Sequence, residues 1–360
     1  MVRRKTFLAT GGQGLIVRRR TLLGAGGQGL MPERRARVGL TGRWVATALA
    51  VAIAASACAG STTAESQATP QSAVPETVAA PATSTTAAPT TTTTEAFTPA
   101  IEAPPPIPIR DEPGWELVWH DEFDGDEIDL SNWTYDIGGW GWGNGEAQYY
   151  TSRPRNARVS NGLLMIEAHQ EKYENSYYTS ARMLTQGLRE FQYGRMEARI
   201  KVPAGAGLWP AFWMLGSDFI HRAEDEAHRW PFVGEIDIME YVGREPDLIL
   251  GTVHGPGYAG ALGLSKWFRQ DYLIADEFHT YAIEWDYDGI RWFYDDQMYY
   301  DLARTGVGNR EWVFDGDFFL ILNLAVGGLF PGPIALDLEF PVQMYVDYVR
   351  VYQRDSGAGA

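Results

Sequence analysis

The chain has 360 residues, with 46 acidic and 30 basic side chains, a formal charge of −16 and one cysteine. Ten of the basic groups and a single acid lie in the first 57 residues, so the remainder carries about −25. A chain this acidic binds nucleic acid poorly and repels strongly anionic polysaccharides, which favours a neutral partner. One cysteine excludes any disulfide within the chain.

Residues 1–57 are interpreted as a targeting segment. The apolar run WVATALAVAIAASA at 44–57 follows basic residues and is shorter than the roughly 20 residues that a membrane span needs, so it is typical of a signal peptide. The small residues before Cys58 resemble the bacterial lipobox, although Ala55 stands where that pattern usually has Leu. We therefore expect an extracytoplasmic protein: a cell-surface lipoprotein anchored through Cys58 or, if the run is an ordinary cleavage site, a secreted one.

A tandem repeat precedes the apolar run within residues 1–57. RRKTFLATGGQGL at 3–15 and RRRTLLGAGGQGL at 18–30 recur with a period of 15 residues, which is too short for a folding repeat. The repeat stands before the basic region where a signal peptide should already have begun. We interpret Met31 as the true start; the alternative is an extended basic leader.

Composition divides the rest of the chain into three parts. Residues 58–113 are mostly Thr, Ala, Pro and Ser, and such a segment cannot bury enough apolar surface to offset its chain entropy, so a disordered stalk is predicted. Residues 114–354 are rich in aromatic and branched side chains and are predicted to form one domain. Residues 355–360 are interpreted as a tail.

The domain is predicted to be all-β. Short β-rich segments are separated by Gly, Asn, Asp and Pro, which is typical of a sandwich. Only residues 217–229 could hold a short helix. The predicted strands are 115–119, 163–169, 179–185, 194–202, 280–285, 290–296, 318–326 and 345–353.

One predicted strand carries three acids. VGEIDIMEYVG at 233–243 places Glu235 and Asp237 on one face, because side chains alternate along a strand, but it gives Glu240 the opposite parity. One extra residue at Ile238 or Met239, a β-bulge, would return Glu240 to the shared face, and bulges are common beside active sites. Close carboxylates raise one another's pKa, which can keep an acid beside an ionised nucleophile. The alternative is an acidic strand that faces solvent or binds a cation.

Tryptophans in glycine-rich contexts favour a sugar-binding site. Trp140, Trp142, Trp209 and Trp213 lie in GGWGWGNGE and GAGLWPAFWML, and indole rings stack on the apolar faces of sugars. Any one of them alone is more simply a core residue. The six histidines have no metal-binding spacing such as HExxH.

Several motifs together resemble glycoside hydrolase family 16, and in particular its bacterial endo-β-1,3-glucanases, the laminarinases. GEIDIME follows YGRMEARIKVPAGAGLWPAFWML and precedes GTVHGPGY, ILNLAVGG and DYVRVYQ, in the family's order. The resemblance runs from about Leu117 to Gln353. The Met in EIDIME resembles the β-1,3-glucanase form of the motif. One departure is GGLFPG, where the family often has a Trp and this chain has Leu329 and Phe330.

The resemblance implies a β-jelly-roll of the concanavalin A-like type with a concave glycan-binding cleft. It implies Glu235 as nucleophile, Glu240 as general acid/base and Asp237 as the residue that sets their charge states. Other residues match positions that line the cleft: Asn144, Arg195, Trp209, Trp213 and His254. A structural Ca²⁺ would bind at Glu122, Gly162 and Asp347, and no cofactor is implied for catalysis.

The expected function is therefore endo-acting hydrolysis of a neutral β-1,3-glucan by a monomer, with retention of configuration. Mixed-linkage β-glucanase, β-1,3-galactanase and transglycosylase activities are alternatives on the same scaffold. A glucan-binding protein without activity is a further alternative, but non-catalytic members of the family have lost the glutamates that this chain retains.

Overall fold

The computed structural model describes residues 101–354. The predictions for the signal segment, Cys58, most of the stalk and the tail lie outside the described residues. Within 101–354 there are eighteen β-strands and three short 3₁₀ turns, and no helix there is long and apolar enough to cross a membrane. The 3₁₀ turns are Gly260–Leu262, Ile274–Asp276 and Arg304–Val307.

Every predicted strand overlaps a strand of the structure, and the all-β prediction is confirmed. In chain order the strands are β1 (Trp115–Asp121), β2 (Thr134–Tyr135), β3 (Gln148–Tyr150), β4 (Ala157–Ser160), β5 (Leu163–Tyr173), β6 (Ser176–Ser180), β7 (Arg182–Leu184), β8 (Glu190–Phe191), β9 (Gly194–Lys201), β10 (Leu208–Gly216), β11 (Glu235–Tyr241), β12 (Leu248–His254), β13 (Leu264–Arg269), β14 (His279–Asp286), β15 (Gly289–Tyr294), β16 (Gln297–Ala303), β17 (Phe318–Val326) and β18 (Val342–Arg354).

The strands form two sheets. The ten-stranded sheet has the order β16-β15-β14-β9-β18-β5-β6-β3, with β1 beside β18 and β4 beside β5. The eight-stranded sheet has the order β13-β12-β11-β10-β17-β7-β2, with β8 beside β17. Residues 179–185, predicted as one strand, are divided at the buried Ala181, and β6 and β7 belong to different sheets.

The main core lies between the sheets and follows from side-chain alternation. On β9 the alternate residues Met196, Ala198 and Ile200 are buried in this core. On β11 the core side chains are Ile236, Ile238 and Met239. Each sheet therefore has a second face that is turned away from the core, and the charged side chains of these strands lie on those two faces.

Residues 101–113 are not a free stalk. They lie along the face of the ten-stranded sheet that is turned away from the core. The Arg350 guanidinium donates to the carbonyls of Ile107 (2.9 Å) and Pro108 (3.3 Å), and Arg199 donates to the carbonyl of Pro105 (2.8 Å). Residues 105–108 are therefore held against the folded domain, and the prediction that the disordered stalk extends to residue 113 is wrong.

The helix considered for 217–229 is absent. The segment closes instead in separate turns, such as Ala223 N–H to Ile220 C=O (3.1 Å) and Arg229 N–H to Glu226 C=O (3.1 Å). Asp225 accepts from the backbone N–H of His228 (3.2 Å). The segment is mostly charged and lacks an apolar stripe at helical spacing, so nothing favours a continuous helix.

Candidate active site

The predicted β-bulge is present in β11 and aligns the acids. Asp237 pairs with Thr252 and Glu240 with Leu250, so three steps along β11 match two along β12. The same irregularity appears against β10, where Asp237 pairs with Trp213 and Met239 with Phe212. Because Ile238 and Met239 both point into the core, Asp237 and Glu240 return to one face.

We call this face of the eight-stranded sheet, which carries Glu235, Asp237 and Glu240, the carboxylate face. It is turned away from the core, yet the three side chains are only 16%, 6% and about 8% exposed. Surrounding side chains must therefore rise above them, which places the acids at the bottom of a depression. This arrangement is what a site that encloses a substrate requires.

His254, opposite Glu235 on β12, contacts two of the acids. Its Nε2 lies 3.5 Å from Oε1 of Glu235 and 3.3 Å from Oδ2 of Asp237. The indole of Trp230 lies 5.9 Å from the imidazole, centroid to centroid, and covers this side of the site. His254 thus links the predicted nucleophile to the middle acid, as the prediction that it lines the site requires.

Glu240 has its own set of donors. The indole N–H of Trp209 donates to Oε1 (3.2 Å), and the hydroxyl of Thr252 lies 3.1 Å from Oε2 and 3.1 Å from Oγ of Ser265. These contacts fix both carboxyl oxygens and so hold the side chain in one orientation. Thr252 and Ser265 were not identified from the sequence, where a hydroxyl on a strand gives no distinctive signal.

Burial and mutual repulsion change the acidity of all three groups. Burial first, and then the charge of Asp237, raise the pKa of Glu235 and of Glu240 to about 8, although His254 opposes this shift. Burial raises the pKa of Asp237 well above its ordinary value. The three carboxyl groups together therefore retain protons near neutral pH. A protonated carboxyl beside an ionised one is the pair that general acid and nucleophilic catalysis need.

Aromatic and polar residues extend the carboxylate face beyond the acids. The Trp213 indole donates to Oδ1 of Asn323 on β17 (2.7 Å), and the Arg182 guanidinium of β7 lies 4.6 Å from the Trp213 ring centroid. The ring of Trp209 meets Phe330 edge-on at 5.0 Å. Phe330, where the family often has a Trp, therefore still places an aromatic ring against the site.

The glycine-rich loop that contains Asn144 closes one border of this region. The Asn144 carbonyl accepts from the backbone N–H of Leu329 (2.7 Å), and its amide lies 3.4 Å from Glu146. Gly328 has a φ of +121°, and a Cβ there would lie 3.0 Å from the Asn144 oxygen, so this close approach requires glycine. Asn144 is therefore held beside the loop that carries Phe330.

Glu146, Arg182 and Asn323 were missed by the sequence analysis. Burial raises the pKa of Glu146, which accepts from Gln148 (2.6 Å), and the Asn323 amide donates to Tyr150 Oη (3.2 Å). Asn323 had a usable signal, since it is the one amide within the apolar run FFLILNLAV. Arg182 had no such signal in the sequence, because its position beside the site follows from the pairing of β7 with β17.

The prediction that Arg195 lines the cleft is wrong. Arg195 lies on β9 of the ten-stranded sheet, alternates with core residues, and points away from the core and from the carboxylate face. It is 1% exposed, and its guanidinium pairs with Glu197 (2.7 Å) and Asp296 (2.9 Å). It is a structural ion-pair residue in this position.

The predicted calcium ligands lie on strands and turns of the same ten-stranded sheet. Both oxygens of Glu122 accept from Arg350 (2.8 Å each), and Oδ2 of Asp347 accepts from Arg199 (3.0 Å). Gly162 forms the turn before β5 with a φ of +74°. Two carboxylates already bound to guanidinium groups do not form a ready cation cage. The calcium site stays a prediction, and no step below depends on it.

A two-sheet β-sandwich with acids aligned by a bulge, beneath indole rings, defines a carbohydrate-active enzyme. Comparison with known proteins agrees. Residues 144–332 match the family described as glycosyl hydrolases family 16. The β-glucanase of Rhodothermus marinus is 48% identical over 250 residues, which are 67% of this chain and 86% of that protein.

Two further relatives support the same assignment. Glucan endo-1,3-beta-glucosidase A1 of Niallia circulans is 36% identical over 267 residues, covering 67% of this chain and 38% of that protein. The catalytic domain of an endo-1,3-beta-glucanase (laminarinase) from Thermotoga petrophila superposes with a TM-score of 0.63 at 44% identity, covering 67% of this chain and 99% of that structure. The chain belongs to glycosyl hydrolase family 16, and the resemblance predicted from its motifs is confirmed.

Proposed function

We propose that the protein is an endo-acting β-1,3-glucanase that hydrolyses laminarin-type glucan with retention of configuration. The observation that carries this proposal is the bulge at Ile238–Met239, which brings Glu235 and Glu240 to one face. The names of the relatives, which are β-glucanases and endo-1,3-β-glucosidases, support the substrate class.

Glu235 is assigned as the nucleophile. As carboxylate it attacks the anomeric carbon, while Glu240 protonates the departing glycosidic oxygen; the bond between that carbon and oxygen breaks as the glycosyl–Glu235 ester forms. Glu240, now ionised, takes a proton from water, and the water oxygen displaces Glu235. Two displacements at one carbon restore the original configuration.

The neighbouring residues support these two roles. Trp209 and Thr252 hold Glu240 at the position from which it delivers its proton. The charge of Asp237 raises the pKa of both glutamates, so that a proton remains on one of them near neutral pH. His254 opposes this effect at Glu235 and favours the ionised nucleophile.

The substrate is tested by incubating the protein with laminarin, lichenan, β-1,3-galactan and agarose and by sizing the products. We expect laminarin to be cut fastest, into a range of oligosaccharides. Preference for lichenan or galactan would assign one of the alternative activities, longer products would indicate transglycosylation, and binding without cleavage would indicate a lectin. Proton NMR of the earliest products should reveal the β-anomer; an initial α-anomer would contradict retention.

We propose in addition that the protein acts outside the cytoplasm as a monomer, anchored by lipid at Cys58. The support is the single cysteine directly after a short apolar segment that follows basic residues. Cys58→Ala should move the protein from the membrane fraction to the soluble fraction. Wild-type protein that is already fully soluble outside the cell would contradict the anchor and favour secretion.

A further inference from the structure

Three metal-binding atoms converge in the candidate site. Nε2 of His254 lies 3.5 Å from Oε1 of Glu235 and 3.3 Å from Oδ2 of Asp237, and one ligand atom from each residue lies within 4.8 Å of the others. Within residues 101–354, no other three His, Cys, Asp or Glu side chains bring their donor atoms this close together.

The two separations that end at Nε2 of His254 match edges of a zinc tetrahedron, and the Glu235 and Asp237 oxygens lie within 4.8 Å of each other. Zinc binds imidazole nitrogen at about 2.0–2.1 Å and carboxylate oxygen at about 2.0–2.2 Å, so two ligands of a tetrahedral ion stand about 3.4 Å apart. Both contacts of the His254 Nε2 have this length. An ion could therefore be bound with only small side-chain movements.

The middle ligand is also unsatisfied. Oδ2 of Asp237 is buried and has no hydrogen-bond donor among the described residues, and the side chain as a whole is 6% exposed. A buried carboxylate oxygen without a donor is costly, and a cation at this point would compensate it. A cation would also offset the mutual repulsion of the three acids, since the charges of Asp237 and Glu240 both act on Glu235.

We propose that Zn²⁺ or Cu²⁺ binds reversibly to Glu235, Asp237 and His254 and thereby inhibits the enzyme. The binding site itself follows from the geometry alone; the inhibition rests on the proposed role of Glu235 as nucleophile. A carboxylate that ligates a metal cannot attack the sugar, so the ion and the glucan compete for the same residues.

The ligand set also predicts selectivity and strength. One imidazole and two carboxylates suit zinc or copper, whereas calcium and magnesium take six or more oxygen ligands and gain little from a nitrogen. Nδ1 of His254 has no hydrogen-bond partner among the described residues. Metal-binding histidines are usually fixed through that second nitrogen, so the affinity should be that of an exchangeable inhibitor rather than of a structural ion.

The test is a Co²⁺ titration of the full chain, followed by visible absorption, because tetrahedral Co²⁺ absorbs far more strongly than the hydrated ion. We expect an intense spectrum that Zn²⁺ abolishes, and that laminarin weakens by competition. Asp237→Asn keeps the side-chain shape, His254→Gln replaces the ring by a polar side chain of similar length, and each should weaken binding at least about tenfold. His228→Gln, an exposed histidine that also contacts an acid, is the matched control and should bind as wild type.

The outcomes separate the metal site from the proposed function. No tetrahedral spectrum, or an equal affinity in all three variants, would overturn the site. A tetrahedral spectrum in a protein that cleaves no glycan would support the site and refute the glucanase. Inhibition by Zn²⁺ that does not diminish as laminarin increases would refute competition at the nucleophile. Ca²⁺ and Mg²⁺ at equal concentration should not inhibit.

Discussion

The two outward faces of the sandwich both carry buried acids, but they treat them in opposite ways. On the ten-stranded sheet, the arginine face carries Arg195, Arg199 and Arg350, and each contacts a carboxylate within 3.0 Å. On the carboxylate face the partner of Glu235 and Asp237 is the His254 imidazole, at 3.5 and 3.3 Å. On one face guanidinium groups pair with the acids, and on the other the acids lie beside one another without a guanidinium of residues 101–354 in salt-bridge contact.

The pKa shifts of Glu122, on the arginine face, and of Glu235 and Glu240, on the carboxylate face, have opposite directions. At Glu122 burial raises the pKa, but the hydrogen bonds and charge of Arg350 outweigh it, and the pKa is lowered. At Glu235 and Glu240 burial acts with the charge of Asp237, and both pKa values rise to about 8. At Asp347 burial outweighs the hydrogen bond from Arg199, and the pKa is raised. The direction of each shift therefore depends on how many guanidinium contacts oppose burial, and Glu122, with two bonds from Arg350, has the stronger compensation.

The largest effect should come from removing the nucleophile. We expect Glu235→Gln to lower kcat by at least about a thousandfold on laminarin, because the glycosyl ester cannot form, while glucan binding stays nearly intact. Glu240→Gln should also be strongly impaired on laminarin. It should retain more activity on an aryl glycoside with a good leaving group, which needs little protonation. Glu339→Gln, at an exposed acid, is the control; near wild-type turnover in Glu235→Gln would refute the assignment.

The second test breaks the alignment of the carboxylate face. Deleting Met239 restores regular alternation along β11, but it shifts Glu240 away from Trp209 and Thr252. We expect kcat/KM to fall by about a hundredfold, as a misplacement of about 1 Å can cost that much. Met239→Leu keeps the residue count and should retain activity. Circular dichroism confirms folding, and a folded deletion variant as active as wild type would show that the bulge is dispensable.

The third test breaks the arginine face. Arg195→Met leaves Glu197, which is 5% exposed, with a weaker ion pair, and should cost about 3 kcal/mol of unfolding free energy in urea. The exposed pair of Arg291 with Asp286 provides the control, since Arg291→Met should cost about 0–1 kcal/mol. kcat/KM of the folded Arg195→Met protein should stay within about twofold of wild type. A large loss of activity at unchanged stability would return Arg195 to the substrate site.

The fourth test is the pH dependence of stability. The folded-state pKa of Glu235 and Glu240, about 8, exceeds the ordinary value of 4.5. Between these values the folded state retains protons that the unfolded state releases, so rising pH favours unfolding. The double variant that carries Glu235→Gln and Glu240→Gln should lose less unfolding free energy between pH 5 and pH 8 than wild type does.

The matched control for this test is Glu122→Gln, on the arginine face. Its pKa is lowered in the folded state, so its ionised form stabilises the protein above about pH 4.5, and that contribution is lost as the pH falls. The free energy of unfolding of Glu122→Gln should therefore fall furthest below that of wild type near neutral pH. An identical pH profile in wild type and in both variants would contradict the contrast between the faces.

The local sequence pattern predicted the β-strands and the β-bulge in β11, because both depend on neighbouring residues in the sequence. The parity of Glu235, Asp237 and Glu240 required an inserted residue, and the register contains it. Alternation could not tell which sheet β9 joins, and the family resemblance, which supplied the prediction for Arg195, placed it on the wrong face. Residues 101–113 read as stalk by composition, but they are held by Arg199 and Arg350, which lie far along the chain.

The path of residues 101–113 also fixes the side of the domain at which the stalk joins it. Ala103 packs beside Leu163 and Met165 on the arginine face, so the chain that leads toward the N-terminus leaves from the back of the sandwich. The chain from Cys58 to Ile101 can span at most about 155 Å. If lipid holds Cys58, the tether joins the domain on the arginine face, on the opposite side of the sandwich from the three acids.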